Sequence, residues 1–349
     1  MNNIKKEKFT EEFYSRQIAM REIGTKNQQK LAMSRVAVVG MGGLGTVSAL
    51  YLALAGVGHI RVIDQDTIEP HNLHRQILYT SNNLHYPKVE IAKKRLKQIN
   101  PLITIEAAPE NINPNTVERL LTDVDCVVDG LDNMLTRYIV NRACIKNNIP
   151  YVFGAAIGME GNLSIFVPPE TGCLECLMPN LLDNQMQTCN TRGVIGATPG
   201  IIGSLQAMET IKFLTNTGTS LKNKLLICDF NDMNFTTINI NKNPHCPICK
   251  NKTLEISVNE QIVWLCDKNT ANINPKTPLK FNIEQIYPSV KQLFVVRLKS
   301  QLALMFNYGT YEISLFNGGR MLIKGVTNKE TALLVYHEIL KKIKTVNIE

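Results

Sequence analysis

Short apolar runs alternate with longer segments of helical period along the first half of the chain. The runs fall at 36–39, 59–63, 103–107, 126–128 and 151–153. Helical patterns separate them at 44–55, 87–99, 114–121 and 134–147. Strands read as continuous apolar runs are buried on both sides, and helices between them serve as crossovers. The pattern therefore predicts a mostly parallel, Rossmann-like α/β sheet with helices on both faces. Ahead of it, 9–20 reads as a helix, and Thr25 with Gln28 as the capping box of a second helix ending near Met33.

The rhythm changes after Asn162. A strand at 163–167, a loop-rich stretch, a helix at 201–214 and a hairpin of 225–228 with 235–240 predict an antiparallel extension of the sheet. Gly203, Ser204 and Ala207 give that helix a face of small residues, suited to close packing at a dimer interface or against the sheet. Residues 245–252 have the character of a boundary. Beyond it, alternating strands at 294–298, 302–306, 311–315 and 321–324 and a helix at 329–343 predict a small α+β domain with an antiparallel sheet. Gly318-Gly319-Arg320 reads as a hairpin turn inside it. The expected division is 1–250 and 251–349.

Composition narrows the picture. The chain has 349 residues, 44% hydrophobic and 19% charged, enough for an ordinary core in two domains. The net charge of +8 is spread along the chain, and its densest patch, 88–97, is one face of a helix. An acidic protein partner or a polyphosphate accounts for that charge, so direct nucleic-acid binding is not expected. The polar first residues lack the apolar core of a signal peptide, and the longest apolar stretch, 47–57, is too short to span a bilayer. A cytoplasmic protein without membrane contact is the expectation.

Gly40-Met-Gly42-Gly43-Leu-Gly45 follows a strand and opens a helix, the context in which G-x-G-x-x-G binds nucleotides. Glycines let the backbone approach a phosphate, and the helix N-terminus supplies free N–H groups. Asp64, at the end of the next strand, is placed to hold ribose hydroxyls. The bland reading is a glycine turn that binds nothing. Asp66, Asn72, Arg75, Gln76 and Lys88 then cluster polar and cationic groups just beyond that strand. A triphosphate needs such groups more than a dinucleotide does. Asp132, past the strand ending at Asp129, either helps hold Mg²⁺ with phosphate oxygens or caps the helix that follows it.

These motifs resemble the ThiF/MoeB/HesA family, prokaryotic relatives of ubiquitin-activating enzymes. The resemblance runs from Phe13 to Lys250 and rests on Tyr14-Ser-Arg16-Gln17, the glycine loop, Ala55-Gly-Val-Gly58, Asp64-Gln-Asp66, Asn72-Leu-His-Arg75-Gln76, Pro87-Lys88-Val89-Glu90, Ile99-Asn-Pro101, Asp129 to Asn133, and Gly203-Ser-Leu-Gln206-Ala-Met-Glu209. It implies that Gly42 and Gly43 lie against ATP phosphates and that Asp64 binds ribose. Asn72, Arg75 and Lys88 would hold the triphosphate, and Asp132, next to Asn133, would be the magnesium-linked aspartate. Arg16 would reach a neighbouring subunit's ATP site, which implies a homodimer. The implied substrate is the C-terminal Gly-Gly of a ubiquitin-like sulfur carrier, converted to an acyl-adenylate with loss of pyrophosphate. His71 departs from the family pattern, where a small polar residue is usual. The last hundred residues do not look like a sulfur-donating rhodanese domain, so a separate donor such as a cysteine desulfurase is expected.

Nine cysteines and no export signal argue against a disulfide framework. Cys173-Leu-Glu-Cys176 and Cys246-Pro-Ile-Cys249 are two knuckles that either complete a structural Cys₄ Zn²⁺ site, the favoured expectation, or are two unrelated reduced pairs. Cys189 lies in a polar loop with Arg192 close by in sequence. It is either a thiol that takes the activated carrier covalently, with Arg192 lowering its pKa, or an incidental loop residue. Cys126, Cys144 and Cys228 read as core, and Cys266 as structural. Two other classes use the same loop: an NAD(P)-linked oxidoreductase, for which no proton-transfer residue stands out, and a non-catalytic nucleotide-binding scaffold for a ubiquitin-like partner. Adenylation of a small molecule or a tRNA base is a further possibility.

Overall fold

The computed structural model describes residues 3–183, 192–251, 262–264, 269–275, 279 and 282–346. Two helices, α1 (Asn3–Ile18) and α2 (Gly24–Met33), lead into the first strand, β1 (Arg35–Val39). The predicted capping box is not formed: α2 starts at Gly24 from Ile23, whose backbone is already helical, so the chain turns straight out of the preceding segment and Thr25 has no cap to make.

The alternation then proceeds as expected: α3 (Gly43–Ala55), β2 (His59–Ile63), α4 (Lys88–Ile99), β3 (Thr104–Ala108), α5 (Val117–Leu120), β4 (Cys126–Asp129), α6 (Met134–Asn147) and β5 (Tyr151–Ile157). The helix expected at 114–121 shrinks to one turn because Asn113 folds back on the N–H groups of Asn115 and Thr116 instead of entering a helix. Strands β3, β2, β1, β4 and β5 pair in parallel in that order. Strands β6 (Glu160–Phe166), β7 (Lys224–Asp229) and β8 (Asn234–Asn239) add to the β5 edge in antiparallel fashion, with the one-turn helix α7 (Leu174–Leu177) between β6 and β7.

Successive residues of β1 go to opposite sides. Val36 and Val38 join the core beneath α3, α4 and α8 (Ala197–Thr215), whereas Ala37 and Val39 join the core beneath α5 and α6. Helix α8 starts one turn earlier than its sequence pattern, with Pro199 in its first turn, where a missing N–H costs nothing. Its small residues serve the interior: the Ser48 hydroxyl donates to the Gly203 carbonyl at 3.1 Å, and a side chain on Gly203 would strike the Leu44 carbonyl of α3.

A second sheet follows the short helix α9 (Pro247–Asn251). Its order is β11-β12-β13-β14-β10-β9, with neighbours antiparallel. These strands are β9 (Ile262–Trp264), β10 (Thr270–Ile273), β11 (Val296–Lys299), β12 (Ala303–Tyr308), β13 (Tyr311–Phe316) and β14 (Met321–Lys324). Helices α10 (Ile283–Leu293) and α11 (Lys329–Val346) cover one face, sealing a core of Leu304, Phe306, Ile313 and Ile323. The opposite face carries Asn272, Glu312 and Lys324 and turns toward the first sheet. The turn at 317–319 joins β13 to β14 as a hairpin, as its glycines predict. Among the described residues, no helix is long and apolar enough to cross a membrane.

Candidate active site and metal centre

The strand order reverses at β1, whose neighbours are β2 and β4, so the loops leaving β1 and β4 part and leave a crevice. Gly40 ends β1 with φ +89°, and a side chain there would lie 2.5 Å from the Gly130 carbonyl oxygen. The two loops thus touch backbone to backbone. Gly42 then caps α3, leaving the helix's first N–H groups open to the crevice.

Asp64 fixes the floor. One carboxylate oxygen accepts the Met41 N–H at 2.7 Å, and the other accepts the Asp66 N–H at 2.7 Å. Tyr79 donates its hydroxyl to the Met41 carbonyl, and burial beside these carboxylates keeps it protonated. The Lys88 ammonium sits 3.0 Å from Asp66 and 4.0 Å from Asp64, with its side chain 7% exposed. Burial alone would lower its pKa, but the two carboxylates outweigh burial and raise it, so the lysine is charged.

Gln76 is buried beside Gly42, and its side-chain oxygen has no partner among the described residues. The Arg75 stem lies against Gly43, while its guanidinium donates to the His71 carbonyl and contacts His74. Asn72 is buried and accepts the Glu69 N–H at 3.0 Å, closing the short turn that carries Arg75. Asp132 is exposed beyond β4, within electrostatic reach of Lys88. The cap of α6 is Asn133, which accepts the Thr136 N–H, so Asp132 is not the cap.

One expected residue stands apart. Arg16 lies on the exposed side of α1, which is anchored by Gln17 to the Ala55 carbonyl at the far end of α3, about 20 Å along that helix from the glycine loop. Cys189 and Cys266 lie outside the described residues. Arg192, expected near Cys189, forms a two-pronged exposed ion pair with Glu160, which draws on its charge.

Sequence reading assigned no role to the frame behind the crevice. Asp129 is fully buried and accepts from the Leu131 N–H at 2.8 Å, the Tyr151 hydroxyl at 2.8 Å and Arg137 at 3.0 Å. Arg137 also donates to the Leu131 and Gly154 carbonyls. Gln206 of α8 donates to the Asp129 carbonyl. The only sequence signal was an aspartate at a strand end with an arginine early in the next helix.

The two cysteine knuckles meet. All four sulfurs of Cys173, Cys176, Cys246 and Cys249 lie within 4.8 Å of one another, with the closest pairs at 3.6 and 3.8 Å. Four sulfurs about 2.3 Å from a tetrahedral metal would be separated by about 3.8 Å, so the cluster fits zinc. The same separations are far too long for disulfides, whose sulfurs lie about 2.05 Å apart. Ile145 and Ile248 pack beside the sulfurs, and no fifth donor belongs to the cluster among the described residues.

The ThiF family model matches residues 14–248, the whole first sheet with its glycine loop, the first cysteine knuckle and Cys246 of the second. The chain belongs to the ThiF family. A sulfur carrier protein adenylyltransferase of Thermus thermophilus is 38% identical over 242 residues, covering 68% of this chain and 89% of that protein. A sulfur carrier protein ThiS adenylyltransferase of Escherichia coli is 39% identical over 239 residues, covering 68% and 94%. Among solved structures, E. coli MccB with ATP aligns with a TM-score of 0.61 and 25% identity, covering 68% of this chain and 75% of that one. The family match ends before the second sheet begins.

Proposed function

We propose that this ThiF-family chain adenylylates the C-terminal Gly-Gly carboxylate of a ubiquitin-like sulfur carrier with ATP, releasing pyrophosphate. The observation that carries the reading is the joining of Asp64, the open end of α3 and the buried Lys88 in one crevice. Relatives named as sulfur carrier adenylyltransferases support the substrate class.

The reaction needs positioning and charge neutralisation more than proton transfer. Asp64 accepts from the ribose hydroxyls. The α3 N–H groups, Gln76, Asn72, Arg75 and Lys88 surround the phosphates. A carrier carboxylate oxygen attacks the α-phosphorus, its bond to the β-bridging oxygen breaks, and pyrophosphate leaves with that electron pair. Asp132 suits a Mg²⁺ ion held mainly by phosphate oxygens and water, which would neutralise charge on the leaving group. Arg16, remote from its own crevice, would act in a partner's site within a homodimer. Sulfur would come from a separate donor. The first 250 residues form the catalytic unit in this reading, and the rest a distinct domain.

The four cysteines would hold Zn²⁺ as a structural tie between the segment after β6 and the end of the catalytic unit. Metal analysis of the purified protein is expected to return one zinc per chain, and none from a Cys246→Ser/Cys249→Ser variant. A zinc-free, fully stable wild type overturns that role. For the reaction, ATP–pyrophosphate exchange with Mg²⁺ is expected only when a carrier ending in Gly-Gly is present. ATP binding without exchange, for every carrier of the same genome, would favour a scaffold.

A further inference from the structure

The second sheet is not a bystander to the crevice. It docks on the first turn of α4 and on the loop between β2 and α4, the loop that carries Asp66, Asn72 and Arg75. Lys324 pairs with Glu69, Glu90 accepts the Leu302 N–H at 3.2 Å, and Asn272 donates to Gln65 at 2.9 Å. Gln65 stands between Asp64 and Asp66. On the other side, the Asn272 side-chain oxygen accepts from Arg320 at 3.1 Å, so a chain of hydrogen bonds runs from Arg320 to Gln65, the residue between the two aspartates in sequence.

Arg320 is an unusual side chain for a hairpin. It is 5% exposed, stacks on Phe316, and leaves its Nε and Nη2 groups without partners among the described residues. A buried guanidinium with idle donors is costly, and such costs are retained where a ligand or a charge needs them. Asp66 Oδ1 is buried and has no partner either, and it acts on Arg320 through charge without a direct ion pair. Burial pulls the Arg320 pKa down to about 10, with Asp66 and then Asp64 drawing it back up, so the group is charged at neutral pH.

The problem this solves lies at Lys88. One ammonium is shared by two carboxylates, a cluster of net charge −1 that would repel a polyphosphate. Adding Arg320 makes two cations against two anions, and the cluster becomes neutral. We propose that Arg320 is a positioning residue for Lys88: it takes over the counter-charge of Asp66, which releases the Lys88 ammonium to the phosphates of the nucleotide. The second sheet thereby adds a cation to the Asp64, Asp66 and Lys88 cluster from outside the segment that the family model matches. This inference rests on the reading of the crevice as an ATP site.

The test uses the full chain, titrated calorimetrically with ATP and separately with adenosine, which has no phosphate. Arg320→Met is expected to weaken ATP by about tenfold or more and adenosine by less than about twofold. Its melting temperature is expected to match or exceed that of the wild type, since an unpaired buried charge is removed. Arg320→Lys is expected to recover most of the ATP affinity. Equal weakening of both ligands marks a merely structural role and overturns the proposal, as does unchanged ATP affinity. Should Arg320→Met fail to fold, Asn272→Leu, which frees the guanidinium from its anchor, is expected to weaken ATP selectively, and no change there overturns the proposal as well. A wild type that binds no ATP sinks the functional reading itself. A wild type that binds ATP while Arg320→Met binds it equally well sinks only this inference.

Discussion

Two carboxylate–cation pairs flank β1, one after β2 and one at the end of β4, and they are built to opposite standards. At Asp129 both carboxylate oxygens are taken, by a backbone N–H, a tyrosine and Arg137, and Arg137 gives Nη2 to two carbonyls and Nη1 to the Met134 sulfur. At Asp64, Lys88 contacts two carboxylates, Asp66 keeps an idle buried oxygen, and Gln76 beside Gly42 keeps another. A fully satisfied polar network fixes geometry and has nothing left to offer a ligand. A slack one costs stability and keeps its hydrogen-bonding capacity for something that arrives. The frame and the crevice thus divide labour across one strand.

The sharpest way to break this comparison is at the frame. Arg137→Met strands the Asp129 carboxylate in the core and frees the Leu131 and Gly154 carbonyls. Removing one partner of a buried pair costs about 3–5 kcal/mol, and urea denaturation is expected to show a loss of that size. A loss below about 1 kcal/mol would mean that water replaces the arginine and that the frame is no frame. Burial pushes the Asp129 carboxyl above its ordinary range, against the pull of Arg137, so the stranded group would protonate more readily still.

The sequence made one of these pairs visible and hid the other for a physical reason. Asp64 and Lys88 stand in motifs whose spacing follows from a strand, a turn and a helix, so local rules reach them. Helix α6 was legible to its ends, since Asn133 caps it and Asn148, in a left-handed conformation, closes it. The Asp129 frame needs Tyr151 from β5 and Gln206 from α8, contacts set by strand order and helix packing. Arg320 is hidden more deeply: its turn was read correctly, but its burial depends on docking against a loop more than two hundred residues earlier. Helix α10 escaped notice because Pro288 sits inside it, a breaker that tertiary packing of Ile283, Ile286 and Val290 overrides. The helix expected at 114–121 failed for the converse reason, because Asn113 found a local turn.

The crevice side supplies the complementary prediction. Lys88→Ala removes one hydrogen bond to Asp66, whose side chain is 35% exposed, and leaves Asp64 with both of its backbone donors. Its stability cost is therefore expected near about 1.5 kcal/mol, well short of the Arg137→Met loss. Its effect on turnover should be far larger than that on folding. A preorganised cation facing charge that develops on phosphate contributes about 10²–10³-fold, and carrier-dependent pyrophosphate exchange is expected to fall by that factor at saturating ATP. Arg137→Met should instead trade stability first and activity only as the 130–133 loop loosens. If Lys88→Ala unfolds the protein while exchange per folded molecule is unchanged, the slack pair is structural after all. The contrast between the two strand ends would then vanish, because both carboxylates would be holding the fold and neither would be waiting for a nucleotide.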